Sequence, residues 1–262
     1  MATTILDLEQ WQQAGFLCLD GYVTGAALEE LRAWVDEIES WPPTEGKWLQ
    51  HDELTDAGPR RARTENFVPF HAGMQRLLTG GLIVRMASDL LGEPAVLYKE
   101  KINYKHPGGG GFAPHQDQAA YPHISRSVTC LLAVDDATVD NGCLEFAAGM
   151  HHAMLPLNAE GCIAPEVADG LNWVAVPAPA GSLVWFHCFT PHRSGPNGTS
   201  CSRRALYLTY NPLSEGDLRA AYYVGKAQAL AEMGTTTDSG KERISLIGHF
   251  QGRPAPKTKR QG

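Results

Sequence analysis

The stretch AVLYKEKINYKHPGGGGFAPHQD, residues 95–117, is where the chain changes character. Its first half, AVLYKEKINYKH, is rich in β-branched and aromatic residues and reads as a strand. A glycine run follows, and then His115 and Asp117 stand one residue apart. Downstream the same chemistry recurs in short runs: SVTCLLAVDDA (127–137), GCLEFAAG (142–149), NWVAVPAP (172–179), GSLVWFHCF (181–189) and RRALYLTYNP (203–212). Turn residues separate them. Short strands at this spacing predict an antiparallel sandwich or barrel.

Upstream of residue 95 the pattern is different. GFLCLDGYV (15–23) reads as a short strand. In TGAALEELRAWVDEIES (24–40), Leu28, Leu31, Trp34, Val35 and Ile38 recur at helical spacing, with Thr24 as the expected N-cap. Residues 41–70 are dense in proline and charge and are expected to form a loop folding over a site. Residues 73–94 read as a helical region, weakened by Gly80-Gly81 and ended near Gly92. SEGDLRAAYYVGKAQALAEM (214–233) returns to helix. The expected plan is a single domain over 1–262. N-terminal helices and a covering loop take 1–94, a β core 95–212, a C-terminal helix and extension 213–250, and a disordered tail 251–262.

The chain has 262 residues, a length common for one large β unit, and a formal net charge of −7. That charge argues against non-specific nucleic-acid binding. No apolar run approaches the roughly 20 residues that span a bilayer. The N-terminus lacks a basic lead followed by an apolar block, so a secretory signal is not expected. Cys18, Cys130, Cys143, Cys162, Cys188 and Cys201 are scattered without a C-x-x-C pair, as in reduced thiols of a cytoplasmic protein.

An H-x-D pair alone is a weak motif. Side chains alternate along a strand, so His115 and Asp117 can both point into a barrel mouth while Gln116 points away. His192, in FTPHRSGPN after a predicted strand, supplies a distant second imidazole. Two imidazoles and a carboxylate on one face of a metal form the facial triad of non-haem Fe(II) sites, with the opposite positions open. Arg203 opens the strand after His192 and can hold a carboxylate bidentately, with Ser194 donating a second hydrogen bond. Arg204 reads as a surface charge.

The pieces KINYKHPGGGGFAPHQD, VDNGCLEFAAGMHH, GSLVWFHCFTPHRSGPN and RRALYLTYNP resemble, in order and spacing, the phytanoyl-CoA dioxygenase (PhyH) family of Fe(II)/2-oxoglutarate-dependent oxygenases. The resemblance covers about Tyr98 to Asn211. It implies a mainly β fold with flanking helices, built on a double-stranded β-helix (jelly roll, cupin-like) core. It implies His115, Asp117 and His192 as iron ligands, and Arg203 and Ser194 on the distal carboxylate of 2-oxoglutarate. Asn103 falls where an amide often lies near that co-substrate. With O2, such a site releases succinate and CO2 and oxidises a small molecule. The segment NGCLEFAAGMHH departs from the family pattern, with Ala148 for a proline and Met150 for a serine. It reads as structural, with Leu144 and Phe146 facing the core. Halogenating relatives replace the carboxylate, so the presence of Asp117 favours hydroxylation or another oxidation.

Substrate contacts are expected from Arg63 and Glu65 on the covering loop, from Tyr98, Lys99 and Lys101 on the strand entering the core, and from Gln118 and Tyr121 after the ligands. Inward-facing cations suit a carboxylate, phosphate or phosphonate. The expected substrate is a small anionic or zwitterionic metabolite, an aminoalkylphosphonate or amino acid included, ahead of a long acyl-CoA. No nucleic-acid or membrane partner is expected, and the oligomeric state stays open. Two rival readings are a cupin-type metal enzyme of another class and a non-catalytic barrel binding a small ligand. Neither needs Arg203 and Ser194 beside the third ligand.

Overall fold

The computed structural model describes residues 6–121, 123–236 and 244–255, without the side chains of 233–236. A first helix, α1 (Leu8–Ala14), is capped by the Asp7 carboxylate, which accepts from Gln10 N at 2.9 Å. Gly15, at φ 78°, ends it in the left-handed region. Strand β1 (Phe16–Leu19) and helix α2 (Ala26–Ser40) follow. The N-cap of α2 is Gly25, not Thr24, and no side chain bonds there. Leu31, Val35 and Ile38 form its buried stripe, as the helical spacing predicts.

Residues 41–70 are not a loop. They contain β2 (Leu49–Thr55) and β3 (Gly58–Glu65), a hairpin whose turn passes through Gly58 at φ 90°. Their charge density obscured them, yet those charges are matched within the sheet. Arg61 Nε lies 2.6 Å from Asp52 Oδ1 across the hairpin, and Glu65 stands opposite Lys101 of the next strand. The helical region divides at the glycine pair into α3 (Ala72–Leu78) and α4 (Gly81–Leu91), and Gly92 at φ 75° caps the second.

The core strands are β4 (Ala95–Lys105), β5 (Phe112–His115), β6 (Val128–Ala133), β7 (Leu144–Ala147), β8 (Trp173–Val176), β9 (Leu183–His187), β10 (His192–Ser194) and β11 (Arg203–Pro212). A short helix, α5 (Pro165–Ala168), precedes β8, and α6 (Arg219–Thr236) follows β11. One antiparallel sheet runs β1-β9-β6-β11-β4-β3-β2, and the other β5-β10-β7-β8. Together they form the jelly roll. Among the described residues, no helix is long and apolar enough to cross a membrane.

Strand alternation sorts the core into layers. Ile102, Tyr104, Leu132, Trp185, Leu206 and Leu208 leave the larger sheet outward and pack under α2, α3 and α4. Leu131, Ala133, Val184, Phe186, Ala205 and Tyr207 point inward and meet Leu144 and Phe146. Each fully buried large apolar side chain contributes about 1.5–3 kcal/mol. On β4 the inward positions are polar: Lys99, Lys101, Asn103 and Lys105. Tyr98 has no partner on β11, because the register shifts between Thr209 and Tyr210. It joins Tyr121, Tyr222 and Ile247 in a separate cluster beside α6.

The expected disordered tail is also corrected in part. Residues 251–255 are hydrogen-bonded: Gln251 N to Gly111 O at 3.0 Å, Leu54 N to Arg253 O at 2.7 Å, and Ala255 N to Asp52 O at 2.8 Å. Backbone pairing to β2 and to the glycine run orders a segment whose composition is polar and proline-rich. Residues 256–262 lie outside the described residues.

Candidate active site

His115 closes β5 and His192 opens β10, and the two stand directly opposite in register. Their ring centroids are 4.1 Å apart. Asp117 is not on the strand: it begins a 3-10 turn, Asp117–Ala120, that carries its carboxylate to the same point. Each imidazole Nε2 lies 3.9 Å from Asp117 Oδ1, and one donor atom from each of the three side chains falls within 4.8 Å of the others. Gln116 points away and is fixed there, donating to Ala153 O at 2.9 Å and accepting from Leu155 N at 2.7 Å.

The outer hydrogen bonds test whether a metal fits. His115 Nδ1 lies 2.7 Å from Ala113 O, and His192 Nδ1 lies 3.0 Å from Thr190 O. A carbonyl only accepts, so each Nδ1 carries its proton and each Nε2 presents a lone pair to the common point. Thr129 donates to Asp117 Oδ2 at 3.0 Å, which leaves Oδ1 free on that side. Burial, with His192 beside it, holds His115 well below the usual imidazole range, and burial lowers His192. Burial pushes Asp117 up, but His192, Lys101 and His115 outweigh it and bring the carboxyl down to about 2. At neutral pH all three donors are unprotonated, as a divalent cation requires. Two nitrogens and one oxygen on a single face suit Fe(II).

Arg203 is fully buried. Its Nη2 donates to Gly142 O at 2.7 Å, and its Nε has no hydrogen-bond partner. Ser194 Oγ accepts from Lys105 Nζ at 3.0 Å, and Lys105 pairs with Arg203 across β4 and β11. Two cations and a hydroxyl therefore converge beyond His192. Ser194 is two residues along the strand, roughly 7 Å, which matches the span of a five-carbon diacid chelated at the triad. Burial lowers Lys105 well below the usual lysine range, and Arg203 adds to this, so an anion arriving here is strongly favoured.

A cavity lies between the triad and Ser194, and its walls include His115, Asp117, His192, Ser194, Lys101 and Asn103. The other residues expected at the substrate stand behind this wall. Arg63 is buried behind Asn103, whose Oδ1 accepts from Arg63 Nε at 2.9 Å. Glu65 binds Arg63 at 3.3 Å and Lys226 of α6 at 2.6 Å. Lys99 lies over the rings of Tyr121 and Tyr222, at 5.2 and 5.5 Å from their centroids. Tyr98 packs in the aromatic cluster. Gln118 is used by its own loop, donating to Ile124 O at 2.6 Å and Tyr121 O at 3.2 Å. Arg204 lies toward the outer helices, bonded to Asp135 at 2.7 Å.

Two buried residues at the site escaped the sequence reading. Lys105 was visible in principle, since it continues the i, i+2 series of Lys101 and Asn103. His249 was not, because nothing in SLIGHFQGRP marks that histidine. It is buried, lines the cavity and sits with its ring centroid 4.4 Å from that of His115.

Jelly roll, buried triad and cationic anchor define a 2-oxoglutarate-dependent dioxygenase that uses iron. The model of the phytanoyl-CoA dioxygenase (PhyH) family matches residues 11–205, and the chain belongs to that family. It is 49% identical over 261 residues to the methylphosphonate hydroxylase of Gimesia maris, covering 98% of this chain and 100% of that protein. It is 38% identical to the 2-aminoethylphosphonate dioxygenase of an uncultured bacterium, HF130_AEPn_1, over 84% of this chain and 86% of the other. Among solved structures, EctD from S. alaskensis with bound Fe shares the fold with a TM-score of 0.70 at 19% identity, over 82% of this chain and 80% of that one.

Proposed function

We propose that this dioxygenase hydroxylates a small alkylphosphonate, with methylphosphonate as the leading substrate. His115, Asp117 and His192 hold the iron. Arg203, Ser194 and Lys105 hold the distal carboxylate of 2-oxoglutarate, with Asn103 alongside. Iron with 2-oxoglutarate and O2 supplies the oxidising power, with succinate and CO2 as by-products. The chain's part is placement. Ala113 and Thr190 carbonyls keep the imidazoles in one tautomer, and Thr129 keeps the carboxylate turned. Phe112, Tyr207 and Leu144 supply the apolar part of the wall that limits water.

The observation that carries the substrate class is the charge inside the barrel. Lys99, Lys101, Lys105, Arg63, Arg203 and Lys226 are buried there, against Glu53, Glu65 and Asp117. Burial, then Arg63 and Lys99, push Lys101 well below the usual lysine range. Unpaired buried cations are costly, and even a divalent metal adds to the excess. 2-Oxoglutarate offsets part of it; a second anion beside Lys101 offsets more. The likeness to a methylphosphonate hydroxylase along its whole length supports a phosphonate as that anion. Succinate release, measured with Fe(II), 2-oxoglutarate and one added metabolite at a time, tests this. Methylphosphonate and 2-aminoethylphosphonate are expected to stimulate release well above neutral amino acids. Equal stimulation by uncharged compounds would count against the proposal.

A further inference from the structure

The amide of Asn103 has a fixed direction. Asn103 on β4 stands directly opposite Arg63 of β3 in register, and its Oδ1 accepts from Arg63 Nε at 2.9 Å. A guanidinium only donates, so the amide atom turned toward it is the oxygen and not the nitrogen. The other end, Nδ2, has no hydrogen-bond partner among the described residues. Nor does it belong to their buried, unpartnered side-chain atoms. Asn103 lines the cavity, so this NH2 opens on it.

Arg63 does not itself reach the cavity. It is fully buried, and its Nη2 is sealed off without a partner. Nη1 donates to Ile244 O at 3.1 Å and to Glu65 Oε1 at 3.3 Å, and the guanidinium carbon lies 5.6 Å from the centre of the Phe112 ring. The C-terminal segment, β3 and β5 thus hold it from three sides. Glu65 is held in turn by Lys226 of α6 at 2.6 Å. A rigid donor therefore stands behind a side chain that would otherwise be free to turn over.

Lys101 and Lys105 share the inward face of β4 with Asn103, two residues to either side. Lys105 donates to Ser194 Oγ, at the end assigned to the distal carboxylate. A diacid lying between the triad and Ser194 passes Asn103 on the way. The two carboxylates and the ketone of 2-oxoglutarate offer only acceptor oxygens. An amide turned the other way would set its own oxygen against them. We infer that Arg63 is a positioning residue for the co-substrate: it holds the Asn103 oxygen behind the wall, so that the NH2 donates to 2-oxoglutarate. The inference rests on the placement of 2-oxoglutarate proposed above and adds a residue that acts on it without touching it.

Anaerobic titration of the Fe(II)-loaded enzyme with 2-oxoglutarate, read by its charge-transfer absorbance, tests this without turnover. Asn103→Leu removes the donor and is expected to weaken binding by about tenfold. Arg63→Met frees the amide to turn over and is expected to weaken binding about three- to tenfold and to shift the absorbance band. In the Asn103→Leu background, Arg63→Met is expected to change affinity by less than about twofold, because no amide is left to hold. Additive losses would show Arg63 acting by another route and would overturn the inference, as would full affinity in Arg63→Met. Asn103→Asp keeps an oxygen for Arg63 and replaces the NH2 by a second oxygen. It is expected to melt no earlier than wild type yet to bind 2-oxoglutarate at least about tenfold more weakly, and it decides the matter if Arg63→Met fails to fold. Wild-type affinity in Asn103→Asp would also overturn the inference. Full affinity in Asn103→Leu would instead overturn the parent placement of Asn103, so the two failures are told apart.

Discussion

Replacing Glu65 by glutamine keeps the shape of the side chain and removes its charge. Glu65 is fully buried, with Lys226 Nζ 2.6 Å from both carboxylate oxygens and Arg63 Nη1 3.3 Å from one. Burial raises its pKa, but Lys226, Lys99 and Arg63 outweigh that and hold the carboxyl well below 4.5. Its contribution is therefore complete above the ordinary glutamate value and is lost only as pH falls through the lowered one. In Glu65→Gln the lysine faces a neutral amide. Removing one partner of a buried pair costs about 3–5 kcal/mol. With an unfolding entropy of about 2.1 cal/mol/K per residue over 262 residues, about 4 kcal/mol is about 7 °C in Tm. The sign also follows. As pH rises Lys226 sheds its proton in both proteins, so the deficit should shrink at pH 9. Thermal unfolding of both proteins at pH 7.5 and 9 measures it. A variant Tm within 1 °C of wild type at pH 7.5, or a deficit that grows with pH, would refute the reasoning.

Three further outcomes are expected. Asp117→Ala and His192→Ala each remove one of three donors and should lose stoichiometric iron, read by metal analysis after loading, together with 2-oxoglutarate turnover. Arg203→Met should raise the KM for 2-oxoglutarate by about 10- to 100-fold, the size of a charged hydrogen-bonded contact, while the KM for methylphosphonate moves little. Gly142→Ala places a side chain at φ 76°, with its Cβ 2.2 Å from Gly195 O and 2.8 Å from Lys105 Nζ. It should cost at least about 1–2 kcal/mol of stability and raise the KM for 2-oxoglutarate, both measurable on one preparation.

The β core was legible because its strands alternate on an apolar background, and the His115, Asp117 and His192 set because residue types and chain order agree with a metal's geometry. Residues 41–70 were not legible. The matched charges of β2 and β3 have no apolar period to betray a strand, and their partners on β4 lie 40 residues away at Arg63 and Asn103. Thr24 looked like a cap, but the chain turns at Gly25. His115 and Asp117 were expected on one strand or its exit loop, and the 3-10 turn at the exit of β5 carries the carboxylate. Lys99, Arg63 and Glu65 were singled out as substrate contacts, yet the structure places them behind the cavity wall. Burial depth cannot be read from a charge. His249 was invisible because its position depends on long-range pairing of the C-terminal segment with β5.

The central claim is oxidation of a phosphonate coupled to 2-oxoglutarate at the His115–Asp117–His192 site. Incubation of the iron-loaded enzyme with methylphosphonate, 2-oxoglutarate and ¹⁸O2, followed by mass spectrometry and succinate assay, tests it most directly. The account predicts a hydroxylated phosphonate carrying one ¹⁸O atom, formed in equal amount to succinate and absent in Asp117→Ala. Succinate formed at the same rate with and without the phosphonate, with no labelled product, would contradict it.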